Sequence, residues 1–221
     1  MTARQIENQI KTILTTHLAG PSAGLGRLVP PAISQGKLYE AYVVAKIVEN
    51  LTVENGYQLL LVGGQKFYLK SAGGPINPAY PRIQLNQNGA CVAELWTDVE
   101  FLSLSYCIRN FGQVTKGDYH ELYVLVVEVG TTGRPRPEDV WLGVECKNTG
   151  YEKTLLKQIL GIRRELSLLQ TPAPTRFPKW PRKMVPASPP SCLVVYSTDS
   201  SVTEYAAPGA IFGIDFFYEP M

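Results

Sequence analysis

Ile6, Ile10, Ile13, Leu14 and Leu18 recur at helical spacing, which predicts an amphipathic helix over residues 3–18. A Gly/Pro-rich stretch, AGPSAGLGRLVPPAISQG, then breaks the chain. Ser34 stands where a helix N-cap belongs, and a second helix is expected from about Gln35 to Leu51. Leu38, Tyr39, Tyr42, Val43, Val44, Ile47, Val48 and Leu51 put apolar groups on most sides of it, so it should be buried. Glu40 is the odd residue inside it.

The pattern then shortens to that of strands. YQLLLV and QKFYLK flank Gly63-Gly64 and read as a hairpin. Residues 71–90 are turn-rich and carry no periodic signal. Gly73-Gly74 runs into Pro75 with no GK[ST] behind it, so no phosphate loop is expected there. Residues 91–108 read as a strand, or a strand plus a short helix. HELYVLVVEV (120–129) and VWLGVECK (140–147) are strands joined by the loop GTTGRPRPED. Leu155, Leu156, Ile159, Ile162, Leu166 and Leu169 mark a helix over about 152–169, a Pro-rich segment covers 171–190, and SCLVVYS and IFGIDFFY are strands. Helices and strands in this order predict an α/β domain with a mixed sheet.

At 221 residues the chain suits one domain with an accessory arm, here an arm over 1–34 and a domain over 35–221. No apolar run reaches the ~18 residues of a membrane span, and the N-terminal pattern is amphipathic rather than a signal core. No membrane association is therefore expected. Cys91, Cys107, Cys146 and Cys192 are far apart in sequence, which excludes a CxxC zinc or redox motif and suits reduced thiols in a cytoplasm. With only His17 and His120, a histidine-rich metal centre is excluded. His120 reads as a polar residue at a strand edge.

The informative string is Val144-Glu145-Cys146-Lys147. It ends an apolar strand with a carboxylate and an amine two positions apart, and alternation points both to one face. A carboxylate can hold Mg²⁺, and a neighbouring lysine can position a water or neutralise a phosphate. These are the parts of metal-assisted phosphodiester hydrolysis. A second carboxylate must share the ion. Glu121 and Asp118, at or before the preceding strand, and Asp98 are the candidates, with Glu121 ranked first and Asp98 second.

The run YHELYVLVVEVG…VWLGVECKNTGY resembles the PD-(D/E)XK, or restriction-endonuclease-like, nuclease superfamily. The resemblance covers most of the chain by pattern and about ten residues by motif. It implies an αβββαβ core over about 35–200, a mixed central sheet flanked by helices, with Glu145 and Lys147 as the (D/E)xK element. It further implies a metal site of Glu145 with Glu121 or Asp98, holding Mg²⁺ or Mn²⁺ in its place. A helix-borne glutamate often completes such a site, and Glu40 stands where one would. The chain departs from the family in reading Glu121-Leu122-Tyr123, with tyrosine where many members carry the aspartate of ELD.

Charge placement adds a second signal. The net charge of +2 is the sum of +7 over residues 147–183 and −5 elsewhere. Lys153, Lys157, Arg163, Arg164, Arg176, Lys179, Arg182 and Lys183 follow the motif, with Phe177 and Trp180 among them. Cations neutralise phosphates and aromatic rings stack on bases, so this stretch is a candidate nucleic-acid surface. A connecting Pro-rich loop gives the same composition. Gln158 lies on the helix after the motif, where it is either near the site or solvated. The resulting expectation is a Mg²⁺-dependent nuclease acting on DNA rather than RNA; by association with the family it would serve bacterial defence or repair. The alternative, which Tyr123 motivates, is a catalytically silent member of the fold that binds nucleic acid or a protein. Under either reading the N-terminal helix suits docking to a second copy or a protein partner.

Overall fold

The computed structural model describes the chain except residues 1, 21–33, 65–66, 68, 71, 110–111 and 151. Its centre is an eight-stranded mixed sheet. Helix α1 (Ala3–His17) leads into the two-residue strand β1 (Leu18–Ala19), and α2 (Gln35–Val53) follows. Then come β2 (Gln58–Val62), β3 (Arg82–Gln87), β4 (Ala90–Leu102), a short α3 (Leu104–Arg109), β5 (Tyr119–Glu128) and β6 (Val140–Lys147). Helix α4 (Lys153–Leu166) precedes the small pair β7 (Leu168–Pro174) and β8 (Met184–Ser188). The chain closes with β9 (Cys192–Ser197), α5 (Ala206–Ile211) and β10 (Ile214–Tyr218).

The sheet order is β1-β2-β3-β4-β5-β6-β9-β10. Strands β2 to β6 form an antiparallel meander; β9 lies parallel to β6, and β10 parallel to β9. A parallel neighbour needs a crossover, and α4 is part of it. Strand β9, between β6 and the edge strand β10, is buried along its whole length, as a strand covered on both faces should be. Its alternating residues show the two layers. Cys192, Val194 and Tyr196 join the core under α1 and α2, while Leu193 and Val195 join the core under α4.

Both N-terminal helices begin as the sequence requires. Thr2 caps α1 in a capping box with Gln5, and Ser34 caps α2 by accepting from the Lys37 N–H at 3.3 Å. The apolar stripe of α1 (Ile6, Ile10, Ile13, Leu14) packs into the same core as α2. That stripe is spent within the chain, so α1 offers no such face for docking a partner. Among the described residues no helix is long and apolar enough to cross a membrane.

Three local expectations are corrected. Strand β2 does not form a hairpin across Gly63-Gly64; its antiparallel partner is β3, from the stretch expected to be turns, and Phe67, Leu69 and Lys70 lie in no strand. The other residues of QKFYLK, at 65, 66 and 68, lie outside the described residues. The Pro-rich stretch 171–190 contributes the end of β7 and all of β8, a pair whose register shifts between Leu169 and Ala173. This follows from proline's lack of an N–H, which edge or bulged strands tolerate. IFGIDFFY becomes a strand only from Ile214, because Ile211 still ends α5 and Gly213 turns with φ 70°.

Candidate active site

Strands β5 and β6 pair only as far as Val124↔Val144, although β5 begins at Tyr119 and β6 runs on to Lys147. Beyond that pair β6 keeps its parallel partner β9 through Lys147↔Ser197, and β5 keeps β4 through Tyr119. The two strands therefore part, and the gap between them is the cleft. Glu121, Tyr123 and Glu145 line a hollow of about 140 Å³ there. Tyr123 stands one step past the last pair, at the level of Glu145.

The irregularity that shapes this cleft lies opposite Tyr123. Asp98 on β4 has φ 50°, and neither it nor Tyr123 enters the β4–β5 ladder, which resumes at Val99↔Leu122. Aspartate is among the few side chains that adopt this left-handed backbone. The core assignment switches there. Val124 and Val126 pack under α2, whereas Leu122 packs under α4. Tyr123 packs against the α2 core, and the same hollow takes Glu121.

Glu145 is buried, and its Oε1 lies 2.6 Å from Lys147 Nζ. Burial raises the Glu145 pKa; Lys147 opposes that shift and Glu121 adds to it. Glu121 is held from behind by the Gly73 backbone N–H. Gly73 must be glycine for this approach, since a Cβ there would overlap the Glu121 carboxylate. The Glu121 pKa is also raised, first by burial and then by Asp98.

Helix α2 brings a second layer of charge. Lys37 Nζ lies 2.6 Å from Glu40 Oε2 and 3.0 Å from Asp98 Oδ1, and 5.8 Å from the centroid of the Tyr123 ring. The pKa of Glu40 is raised by burial, with Lys37 opposing and Asp98 and Glu121 reinforcing the shift. Asp98 is almost fully enclosed. It accepts from Lys37 Nζ on Oδ1 and from the Lys70 backbone N–H on Oδ2 at 2.8 Å, so as it stands both oxygens are engaged. The structure thus brings Glu145, Lys147 and Glu121 into one cleft, with Glu40 on the adjoining wall and Asp98 behind Lys37. Lys37, Lys70 and Gly73 carried no motif. Lys37 was findable only as the residue one helical turn before Glu40.

Burial, reinforced by the neighbouring acids, explains the upward shifts, and it has a consequence for stability. A carboxyl whose folded pKa is raised stabilises the fold most below its unfolded pKa of about 4.3, and that contribution is lost as pH rises through the folded value. Glu40→Gln removes one such group. Its melting temperature relative to wild type is expected to rise as pH goes from about 4 to about 7. Thermal unfolding across that range checks it; a variant Tm that falls relative to wild type as pH rises contradicts it.

Among the described residues no three Asp, Glu, Cys or His side chains form a group that could hold a metal ion by themselves. The donor chemistry nonetheless fits a hard divalent cation. Mg²⁺ is commonly bound by one or two carboxylates with waters and substrate phosphate completing the shell. Two carboxylates on one open hollow supply that much.

Comparison with protein-family models, curated proteins and solved structures finds no match.

The remaining sequence candidates divide by burial. Asp118 accepts from Thr115 and pairs with Arg109, closing the turn before β5, and is not in the cleft. His120 packs against the Phe101 ring at 5.9 Å. In the basic stretch, Arg163 is buried and donates to the Ser191 carbonyl at 2.9 Å and to its Oγ at 2.8 Å, so it is a packing residue rather than a phosphate contact. Arg182 pairs with Asp215, Phe177 is core, and Trp180 packs on the core with its carbonyl bonded by Asn55. Arg176 is exposed, stacked near Trp141 at 5.7 Å. Lys153, Lys157, Arg164, Lys179 and Lys183 are exposed and free to meet phosphates, and Gln158 is exposed on α4.

Proposed function

We propose that this chain is a metal-dependent phosphodiesterase of the PD-(D/E)XK type, acting on nucleic acid and on DNA in preference to RNA. The observation that carries the reading is the parting of β5 and β6 around Glu121, Tyr123 and Glu145, with Lys147 paired to Glu145. The chain order supports it. Helix α2, the antiparallel strands β4, β5 and β6, helix α4 and the parallel strand β9 follow the αβββαβ sequence of elements.

In this reading Glu145 and Glu121 would hold Mg²⁺, with Mn²⁺ able to substitute. The ion, when bound, polarises the phosphate and lowers the pKa of the attacking water. Lys147 then exchanges its contact with Glu145 for the phosphate oxygens or the water, and stabilises charge as it develops. Glu40 and Asp98 hold Lys37 beside the cleft, where its charge offsets the acids. Burial opposes the lysine's charge, but these two partners outweigh it and keep the Lys37 pKa above its ordinary value. Exposed Lys153 and Lys157, on the first turns of α4 beside the motif, would guide the strand.

A second reading is a silent member of the fold that binds nucleic acid or protein without cleaving. Tyr123 supports it, because a phenol replaces the aspartate that the resemblance expects at the level of Glu145. Incubating plasmid and single-stranded DNA with the protein and Mg²⁺ or Mn²⁺ decides between them. Cleavage that depends on Glu145 upholds the enzyme, and binding without cleavage upholds the silent form.

A further inference from the structure

Resting on the phosphodiesterase reading, we propose that the hollow on the far side of Tyr123 receives one unpaired nucleobase. The substrate is then a single strand or a locally opened duplex.

Two hollows meet at Tyr123. The smaller contains Glu121 and Glu145. The larger, about 300 Å³, is lined by Tyr39, Glu40, Lys147, Asn148 and Leu155 as well as Tyr123. The Glu145–Lys147 pair joins them, so a phosphate held between these two residues would direct its own nucleoside toward the larger one. Such a volume is at the lower end for small-molecule pockets, and larger than a phosphate requires.

The lining suits a base. The Tyr123 ring is half-buried, and base–aromatic stacking tolerates any sequence because every base has a π-face. Leu155 supplies an apolar wall. Polar groups face the edge: Glu40 is an acceptor, and the Asn148 Oδ1 already accepts from Thr198 at 3.2 Å, which leaves its amide N–H groups to donate. A base within an intact duplex cannot enter such a pocket without leaving the stack. The tyrosine that departs from the family pattern gains a role here, since an aspartate would offer no stacking face.

The test measures anisotropy of the full chain in Ca²⁺ with three fluorescein-labelled probes. These are a single-stranded oligonucleotide, the same backbone with abasic sites, and the intact duplex. The base-bearing single strand should bind tightest. Tyr123→Ala should weaken that probe by about fivefold to a hundredfold and leave the duplex unchanged. Tyr123→Phe, which keeps the ring, should retain binding and shows that the position tolerates change. Equal binding of base-bearing and abasic strands, equal loss on all probes, or no binding to any probe overturns the inference. Mg²⁺-dependent cleavage indifferent to Tyr123→Ala would leave the phosphodiesterase standing and remove the pocket. Tyr123-dependent strand binding without cleavage would do the reverse.

Discussion

Glu145→Gln is expected to lower metal-dependent cleavage by more than about a hundredfold, while the protein stays folded and binds nucleic acid. The magnitude follows from the residue's place. Loss of outer partners of a metal ligand alone typically costs about 10–100-fold, so loss of a ligand itself costs more. The amide keeps the shape of the side chain in its buried position and removes only the charge that would hold the ion. Lys147→Ala should cost a comparable factor in rate with a smaller change in strand affinity, because its interaction is made chiefly as charge develops on the phosphate. Initial rates on labelled DNA at saturating Mg²⁺ measure both. Undiminished cleavage in the two variants would remove the site.

The largest expected effect on stability lies directly behind the cleft. Leu122 is fully buried between Glu121 and Tyr123, in the core under α4, and its Cδ1 fills the space over Gly143. A Cβ on Gly143 would stand 2.7 Å from that methyl, so the glycine makes room for the leucine. Leu122→Ala should therefore cost about 2–5 kcal/mol, the range for a buried leucine that leaves a cavity. In a chain of this length each kcal/mol is about 2–4 °C of Tm. The added change Gly143→Ala should recover part of the loss by refilling the space. Calorimetry of the two variants checks both statements; a double variant less stable than Leu122→Ala would show that the two side chains do not share this space.

These two predictions draw on different depths of the sequence. Helices α1, α2 and α4 and strands β5, β6 and β9 were legible because their apolar patterns are long, and α2 also because Ser34 stands at its N-cap. Glu145 and Lys147 were legible because a strand of eight residues ends in an acid and an amine. Three features were hidden for physical reasons. The pairing of β2 with β3 spans an intervening stretch of 19 residues, and Gly63-Gly64 offered a nearer, false turn. The Pro-rich segment looked like a connector, but proline is compatible with a short bulged pair. The change of facing at Asp98 and Tyr123 could not be read from alternation, because it breaks alternation. It coincides with the left-handed backbone of Asp98; that Glu121 and Tyr123 share a face, by contrast, follows from alternation, since they lie two positions apart.

Arg163 shows the opposite error. Composition counted it with the phosphate-binding cations, yet it lies on the inner side of α4 and is spent on Ser191. A charge count cannot distinguish a guanidinium facing water from one facing the core. The helical position could have done so: Ile159, Arg163 and Leu166 are the buried residues of α4, spaced four and three apart.

The claim on which the rest depends is that the parted strands hold a divalent cation between Glu121 and Glu145. Calorimetric titration of the metal-free protein with Mn²⁺ tests it most directly. Wild type should bind at this site, Glu145→Gln should lose that binding, and Tyr123→Asp, which adds a carboxylate at the level of Glu145, should preserve or tighten it. Identical titrations for wild type, Glu145→Gln and Tyr123→Asp would contradict the account.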